Sequence, residues 1–132
     1  MAYERLPRAR SNGRPVDQQA ASSRGSTSDF GVELSPSSGG AVRVTVHGTV
    51  DLRVHDLLRA MLAEAVAVPE TWEVEVDLAG VRLLDAGGVG VLVGELQKAN
   101  AAGKTLRVSG VRALPLTVLE VTGADKILGA TP

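Results

Sequence analysis

The stretch from Val74 to Gly94, VEVDLAGVRLLDAGGVGVLVG, decides the fold of this chain. Its first part alternates valine and leucine with acidic residues, which is the two-residue period of a strand with one buried face. The residues DAGG follow, and they are typical of a tight turn that leads into a glycine-rich helix. A buried strand, an acidic turn and a helix in this order predict a surface on which another protein can dock.

Two strands and a helix are predicted before this segment. Residues 30–34 and 42–46 have the apolar pattern of a β-hairpin. Apolar residues then recur at helical spacing over residues 54–65, in a helix that Asp51 would cap. The next strand begins at Trp72, which the alternation assigns to the buried face together with the valines that follow it.

A further strand and a last helix are predicted after the central helix. Residues 106–108 form the strand and residues 114–121 the helix, which Gly123 would end in the left-handed conformation. Strands that alternate with helices predict an α/β fold with crossover connections. We expect a mixed sheet of about four to five strands, with the helices mainly on one face because the acidic strand residues keep the other face wet.

The composition limits the kind of protein. The chain has 132 residues, of which 44% are hydrophobic, and this suffices for one small core. Only 2% are aromatic, so stacking on single-stranded nucleic acid is excluded as a main function and no direct nucleic-acid partner is expected. There is no cysteine, and therefore no disulfide or thiolate metal site. Without a membrane-spanning run or a signal peptide, the expected location is the cytoplasm, with no membrane insertion.

The net charge of −1 is divided unevenly along the chain. Residues 1–28 carry five arginines against Glu4 and Asp17 and are +3, whereas residues 29–132, with nine basic and 13 acidic side chains, are −4. The first segment is rich in arginine, serine and glycine and has no apolar periodicity, which predicts a disordered tail before a single domain at residues 29–132. We interpret the tail as a solvated segment. The alternative is that its arginines contact nucleic acid or anionic lipid.

The central helix raises one question. Gly90 and Gly94 lie inside it, although a glycine costs about 1 kcal/mol relative to alanine in a helix. Two explanations stay open: a bare backbone that a partner approaches closely, or packing against a neighbouring loop of the same chain. Gly87, Val91 and Gly94 lie opposite the stripe that is expected to face the sheet, which consists of Val89, Leu92, Val93 and Leu96.

Four segments together resemble the STAS domain of anti-sigma factor antagonists. They are GTVDL at 48–52, VEVDLAGVRLLDAGGVGVLV at 74–93, GKTLRVSGV at 103–111 and LEVTGADKIL at 119–128, and the resemblance covers residues 29–128. It implies a bacterial partner-switching module. In this family the unmodified antagonist binds a serine-kinase anti-sigma factor and so frees a sigma factor. Phosphorylation of a serine in the acidic loop by that kinase breaks the complex.

The serine that the family phosphorylates is absent here. The family loop reads Asp, Ser, Ser, Gly, and the matching residues are Asp85, Ala86, Gly87 and Gly88, with Gly87 in place of the acceptor serine. Because phosphate transfer needs a nucleophilic oxygen, no phosphorylation is expected at this position. The protein is therefore expected to stay in the binding-competent form or to have left the kinase circuit.

The resemblance also implies where a partner binds. Asp51 matches an acidic position that lies beside the loop in the family, so Asp51 and Asp85 would form one acidic rim that faces a basic partner. A helix cap at Asp51 and a turn contact at Asp85 are structural interpretations compatible with this role. The predicted partner-binding residues are Asp51, Asp85, Ala86, Gly87, Gly88, Val91 and Gly94.

Other chemistry in this region has less support. Asp51 and Asp85 are a carboxylate pair, but no nucleophile or pocket motif accompanies them, so no enzymatic activity is expected. His47 and His55 flank Asp51, yet they lie on different predicted elements and match no metal-ligand spacing. The glycine-rich turn lacks the lysine of a phosphate-binding loop, and no cofactor or metal is expected.

Two other functions remain open. The first is an accessory STAS subunit of a membrane lipid or solute transporter, which the missing serine favours. The second is a non-switching scaffold that assembles with other STAS proteins. The family usually continues past residue 128 with a short strand and a last helix, whereas this chain stops at residue 132. The resulting uncovered apolar strip, on the sheet or on the preceding helix, predicts a homodimer.

Overall fold

Five strands form one sheet in the computed structural model, which describes residues 23–27, 29–36 and 38–132. The strands β1 to β5 lie across the sheet in chain order, with β1 antiparallel to β2, β2 antiparallel to β3, and β3, β4 and β5 parallel. The predicted α/β class and mixed sheet are therefore confirmed. The strands are β1 (Ser23–Thr27), β2 (Phe30–Pro36), β3 (Ala41–Val50), β4 (Glu73–Leu84) and β5 (Thr105–Ser109).

Four helices connect or follow the parallel strands. Helix α1 (His55–Ala67) joins β3 to β4, and α2 (Ala86–Ala101) joins β4 to β5. Helices α3 (Ala113–Thr122) and α4 (Ala124–Ile127) follow β5, and Gly123 ends α3 in the left-handed conformation, as predicted. Over the described residues, no helix combines the length and the apolar character that a bilayer span requires.

One face of the sheet is apolar and covered by helices. Buried and partly exposed residues alternate along β3 and along the first half of β4, so the valines of both strands point to the same side. Helix α1 packs against β2, β3 and α2, and α2 packs against β5. Burying each large aliphatic side chain contributes about 1.5–3 kcal/mol. The largest buried side chains include Phe30, Leu58, Leu62, Leu78, Leu92, Leu119 and Leu128.

The opposite face of the sheet carries charged side chains that pair across the strands. Arg43 on β3 forms ion pairs of 3.0 Å with Asp77 and 3.3 Å with Glu75 on β4. Arg107 on β5 pairs with Glu73, whose carboxylate raises the pKa of the guanidinium above its ordinary value. Each partly exposed pair contributes little to stability. The charged face nevertheless agrees with the prediction that the helices lie mainly on the other side.

Strand β1 lies within the segment that the sequence assigns to the tail. The sequence predicts a disordered tail through residue 28, but residues 23–27 pair with the first part of β2, from Ser23 opposite Leu34 to Thr27 opposite Phe30. Their sequence, SRGST, has no apolar alternation, and backbone pairing with β2 defines the strand. Residues 1–22 and 28 of the predicted tail lie outside the described residues.

Trp72 lies outside the strand to which its sequence pattern assigns it. Strand β4 begins one residue later, and Trp72 is 54% exposed, with its indole N–H donating to the carbonyl oxygen of Gly39. Gly40 has a φ of 83°, and a side chain there would overlap the indole ring. The aromatic ring therefore packs over the β2–β3 turn, and the buried alternation of β4 starts at Val74.

The outer edge of β5 is covered by residues that follow α4. The Val108 N–H donates to the Leu128 carbonyl oxygen at 3.0 Å, and the Thr131 N–H donates to the Val108 carbonyl oxygen at 3.2 Å. Leu128 is fully buried. The uncovered apolar strip that the sequence predicts is therefore not at this edge of the sheet.

Candidate docking surface at the strand ends

Asp51 and Asp85 follow the ends of two neighbouring parallel strands. Val50 and Leu84 are paired in register at the ends of β3 and β4, so the next residue of each chain segment lies at the same edge of the sheet. The Asp85 N–H donates to the Val50 carbonyl oxygen at 3.1 Å and ties the two ends together. The structure therefore brings the two predicted acids to one edge of the sheet, which we call the acidic rim.

Asp51 caps a short turn and pairs with an arginine. Its Oδ1 accepts a hydrogen bond of 3.0 Å from the Arg53 N–H at the start of the 3₁₀ turn Leu52–Val54, and its Oδ2 accepts one of 2.8 Å from the Arg53 guanidinium. This guanidinium contact holds the pKa of Asp51 below its ordinary value. Asp51 thus caps the turn that leads into α1 and not α1 itself, whose N-cap is Val54. A third of the Asp51 side chain stays exposed.

Asp85 caps α2 and at the same time holds a histidine of α1. Its Oδ1 accepts a hydrogen bond of 2.7 Å from the Gly88 N–H, which satisfies one of the free amides in the first turn. The Nε2 atom of His55 lies 2.8 Å from Oδ1 and 3.0 Å from Oδ2. The sequence does not reveal this contact, because the two residues are 30 positions apart and lie on different elements.

The imidazole of His55 also lies against Gly87. A Cβ atom at position 87 would overlap the ring, and the His55 side chain is only 14% exposed. Glycine at this position is therefore required by α1 of the same chain. This is the position at which the family resemblance places the acceptor serine, so a serine side chain fits here only if His55 moves.

Two of the predicted partner-binding residues are buried. A Cβ atom at Gly88 would lie 2.7 Å from Cγ1 of Val50 and 2.8 Å from Cδ1 of Leu84, so this glycine is needed for packing on the strand ends. Val91 is 4% exposed and belongs to the hydrophobic core. Helix α2 packs on α1 as well as on the sheet, and it therefore buries a wider arc than the single stripe that its sequence predicts. Neither residue can be a surface contact in this conformation.

The exposed side of α2 is formed largely by glycine. An added Cβ atom at Gly90 or Gly94 would meet no atom of the described residues within 4 Å, so packing against that part of the chain does not account for these two glycines. Gly87, Gly90 and Gly94 fall on one face of the helix, and we call them the glycine ridge. Ala86 is exposed beside it, at the start of the helix. Gly90 lies on the same face of α2 as Gly87 and Gly94, but it is not among the partner-binding residues that the sequence predicts.

Two exposed leucines flank the acidic rim. Leu52 follows Asp51 and is 81% exposed, and Leu83 lies two residues before Asp85 and is 49% exposed. Together with the charges of the rim, they give this edge of the sheet both apolar and charged surface. Neither leucine is predictable from the sequence, because a single leucine in a turn or at a strand end carries no sign of its exposure.

The two histidines that flank Asp51 in the sequence do not converge. His47 lies on the open face of the sheet, opposite Gly31 of β2 and Gly80 of β4, whereas His55 lies at the acidic rim. Within the part of the chain that the structure describes, no group of three or more histidine, cysteine, aspartate or glutamate residues is arranged to hold a metal ion.

Comparisons with known proteins identify the same fold. A family model described as "Mlab, STAS domain" matches residues 34–129. No curated protein matches the sequence. An anti-sigma factor antagonist from Mycobacterium paratuberculosis is similar in structure, with a TM-score of 0.70, 20% identity, and coverage of 78% of this chain and 86% of that chain.

Two further solved structures illustrate the range of proteins that share the fold. The antagonist SpoIIAA of Bacillus, in its unphosphorylated form, has a TM-score of 0.62 and 15% identity, covering 74% of this chain and 96% of its own. A sulfate transporter family protein from Wolinella succinogenes has a TM-score of 0.59 and 23% identity, covering 70% of this chain and 76% of its own. The fold is therefore common to antagonists and to transporter proteins.

Proposed function

This chain belongs to the STAS domain family, and we propose that it is an anti-sigma factor antagonist, which binds an anti-sigma factor of the serine-kinase fold and so releases a sigma factor. The observation that carries the proposal is the acidic rim, Asp51 and Asp85, next to the exposed glycine ridge of α2. The fold likeness to two antagonists supports it. The protein acts by binding, without catalysing a reaction, in the cytoplasm of a bacterium.

Each part of this surface has a physical task. At Gly90 and Gly94 the glycine ridge lets the backbone of a partner approach α2 closely, because no side chain of the described residues stands above these two positions. Leu52 and Leu83 offer apolar side chains whose burial against a partner is favourable. Asp51 and Asp85 select a basic partner face, and the −4 charge of residues 29–132 increases its rate of approach.

We further propose that this antagonist is not switched off by phosphorylation at the usual position. A phosphoserine there would place nearly two negative charges beside Asp85, and the like-charge repulsion within the loop would disrupt the surface on which the partner docks. Neither Ala86 nor Gly87 has a hydroxyl group, and the His55 ring fills the space above Gly87. Binding would then be controlled by the amount of the protein or by a second partner.

A second candidate is an accessory subunit of a membrane lipid or solute transporter. The missing acceptor hydroxyl favours it, because a permanently assembled subunit needs no kinase switch, and the likeness to the Wolinella transporter family protein is consistent with it. The same docking surface would then contact the transporter ATPase. A non-switching scaffold that assembles with other STAS proteins is a third function, for which the described residues provide no separate feature.

Calorimetric titration against each kinase-fold anti-sigma factor of the host, with ATP and magnesium present, tests the proposal. We expect a dissociation constant of about 1 µM or lower for one of them, and an unchanged mass of this chain afterwards. The variant Gly90→Gln should weaken binding at least tenfold. The control Ala63→Gln, on an exposed part of α1, should not.

Two results would decide against parts of the proposal. Absence of binding to every kinase-fold anti-sigma factor would overturn the antagonist function, and co-purification with a transporter ATPase would then support the second candidate. Binding accompanied by the addition of one phosphate to this chain would overturn the proposal of an unswitched antagonist but retain the docking surface.

A further inference from the structure

The imidazole of His55 lies close to both acids of the acidic rim. Its Nε2 atom is within hydrogen-bond distance of both carboxylate oxygens of Asp85, at 2.8 Å and 3.0 Å. The pKa of Asp51 is lowered mainly by its hydrogen bonds with Arg53, and the nearby charge of His55 adds to this effect. Histidine is the side chain whose ordinary change of charge falls between pH 5 and 8. The docking surface therefore contains a group that responds to protons near neutral pH.

We propose that His55 is a proton-sensitive switch of the docking surface, and that uptake of a proton by its imidazole weakens the binding of a basic partner. The inference rests on the proposed function, because it names a control of the same surface. The ring lies above Gly87, the position of the acceptor serine in the family resemblance. A reversible change of charge is thus available at this position without a hydroxyl group, and it acts in addition to the amount of the protein.

The contacts of the ring define where the proton is added. An ionised carboxylate only accepts hydrogen bonds, so Nε2 carries the hydrogen of the neutral ring and donates it to Asp85. The second proton is then added at Nδ1, which forms no hydrogen bond with the described residues. The side chain of His55 is 14% exposed. Protonation therefore breaks no contact of the ring with the described residues, and it converts a hydrogen bond with Asp85 into an ion pair.

The other charged side chains on the elements around the ring are paired with one another. In the 3₁₀ turn, Arg53 pairs with Asp51 at 2.8 Å, and on α1 itself Arg59 pairs with Asp56 at 2.7 Å. The strand ends contribute buried apolar side chains. At the start of α2, Asp85 has no lysine or arginine partner among the described residues. Asp85 is therefore the carboxylate whose charge the imidazolium cancels.

The direction of the effect follows from the charges. While His55 is neutral, the Asp85 side chain is 39% exposed and keeps its negative charge, which attracts a basic partner face. Once His55 is protonated, the pair carries no net charge, and a cation of the partner meets a carboxylate that is already compensated. A basic partner therefore binds better to the neutral ring. By linkage, the dissociation constant rises as the pH falls, by at most about tenfold per pH unit for one proton.

Calorimetric titration of the complete chain with each kinase-fold anti-sigma factor of the host, at about pH 7.5 and about pH 5.5, tests the proposal. We expect the dissociation constant of the one that binds to be about tenfold higher at the lower pH. In His55→Gln most of this difference should disappear, because the glutamine amide can donate to Asp85 but takes up no proton. The matched control is His47→Gln, which removes the other histidine of the chain, on the open face of the sheet, and should keep the wild-type difference.

Nuclear magnetic resonance of the free wild-type chain provides a second readout that needs no variant. Between about pH 5 and pH 8, the backbone amide signals of Gly87 and Gly88 should move with the same midpoint as the imidazole signal of His55. The physical reason is that the ring lies above Gly87 and shares the Asp85 carboxylate with the Gly88 N–H. Urea unfolding followed by Trp72 fluorescence verifies that the two histidine variants are folded.

The possible outcomes separate this inference from the proposed function. Binding that is equally strong at both pH values would overturn the switch and retain the antagonist function. The same conclusion would follow if His55→Gln kept the full pH dependence, or if the signals of Gly87 and Gly88 did not follow the titration of His55. Absence of binding to every anti-sigma factor at both pH values would overturn the proposed function, and the inference with it.

Discussion

The imidazole ring of His55 lies where a side chain at position 87 would have to be placed, and Asp85 holds it there with Nε2 2.8 Å from Oδ1. In the family loop, position 87 carries the acceptor serine. The loss of the hydroxyl and the placement of the histidine are therefore structurally coupled, because the ring and a serine side chain cannot occupy the same space. Contacts within the chain therefore constrain the residue at position 87, in addition to any contact with a partner.

Replacement of Gly87 by serine should therefore not restore a working switch. We expect Gly87→Ser to lower the free energy of unfolding by about 1–3 kcal/mol, because the ring must move and its contact with Asp85 is lost. In Gly87→Ser combined with His55→Ala, the added side chain has space and part of the stability should return. Urea unfolding measures the stability, and mass spectrometry after incubation with the partner kinase and ATP measures phosphorylation. Full stability of the single variant would contradict the packing argument.

Substitution by alanine should change the free energy of unfolding in opposite directions at the two mid-helix glycines and at Gly88, which packs on the strand ends. Gly90→Ala and Gly94→Ala should each raise the free energy of unfolding by up to about 1 kcal/mol, because alanine favours the helix and the added methyl group meets no atom. Gly88→Ala should lower it, since Val50 and Leu84 are too close. Urea unfolding of the three variants provides the comparison. Destabilisation by Gly90→Ala would mean that this face is covered within the chain.

A buried carboxylate in α2 offers a route to higher stability. Glu95 is 2% exposed, and its Oε2 accepts a hydrogen bond of 3.1 Å from Lys98 Nζ, while Oε1 has no partner among the described residues. A methionine of similar shape removes the cost of burying the charge, so Glu95→Met should raise the free energy of unfolding by about 1 kcal/mol. Lys98→Met should lower it by leaving the buried carboxylate without its cation. If thermal unfolding shows that Glu95→Met is less stable than wild type, the carboxylate of Glu95 makes a polar interaction that stabilises the fold.

The turn before β4 contains an unfavourable backbone conformation. Glu70 is exposed and has a φ of 65°, a left-handed conformation that costs a residue with a Cβ atom about 1–2 kcal/mol. Glycine adopts it without this cost, so Glu70→Gly should raise the free energy of unfolding by about 1 kcal/mol. The control Glu70→Ala keeps the Cβ atom and should leave stability unchanged. Equal effects of the two substitutions would show that the side chain, and not the backbone, determines the result.

The ion pair at the acidic rim makes a pH-dependent contribution. The Arg53 guanidinium lowers the pKa of Asp51 in the folded state, so its stabilising effect is present above the pKa of the unfolded chain, about 3.9, and is lost as the pH falls through the folded pKa. Asp51→Asn keeps the cap but removes the charge. We expect it to be less stable than wild type at pH 7, with the difference vanishing in acid. A difference that persists at about pH 2 would exclude the ion pair as its cause.

Local patterns were sufficient to predict the centre of the fold. The alternation of β4, the acidic turn and the glycine-rich start of α2 are all encoded in consecutive residues, and the structure places β4 at Glu73–Leu84 and α2 at Ala86–Ala101. The resemblance of the four quoted segments then predicted the family, which the family match confirms.

Features that depend on distant residues were not predictable. Strand β1 has a polar sequence and is ordered by pairing with β2. Val91 is buried because α2 packs on α1, which one helix's periodicity does not reveal. The contact between His55 and Asp85 joins two elements across 30 positions. In each case the decisive partner lies far away in the sequence, where neither propensity nor spacing carries information about it.

The covered edge of β5 has a consequence for how the protein can misassemble. An unpaired edge strand is a template on which further strands can add, and this leads to fibrous aggregates. The Val108 N–H already donates to Leu128 and the Val108 carbonyl oxygen already accepts from Thr131, so a growing sheet must first displace these residues. Removal of the last five residues would therefore open a nucleation site for polymerisation. The short segment after α4 thus prevents the addition of further strands at β5, while the chain can still form complexes of limited size.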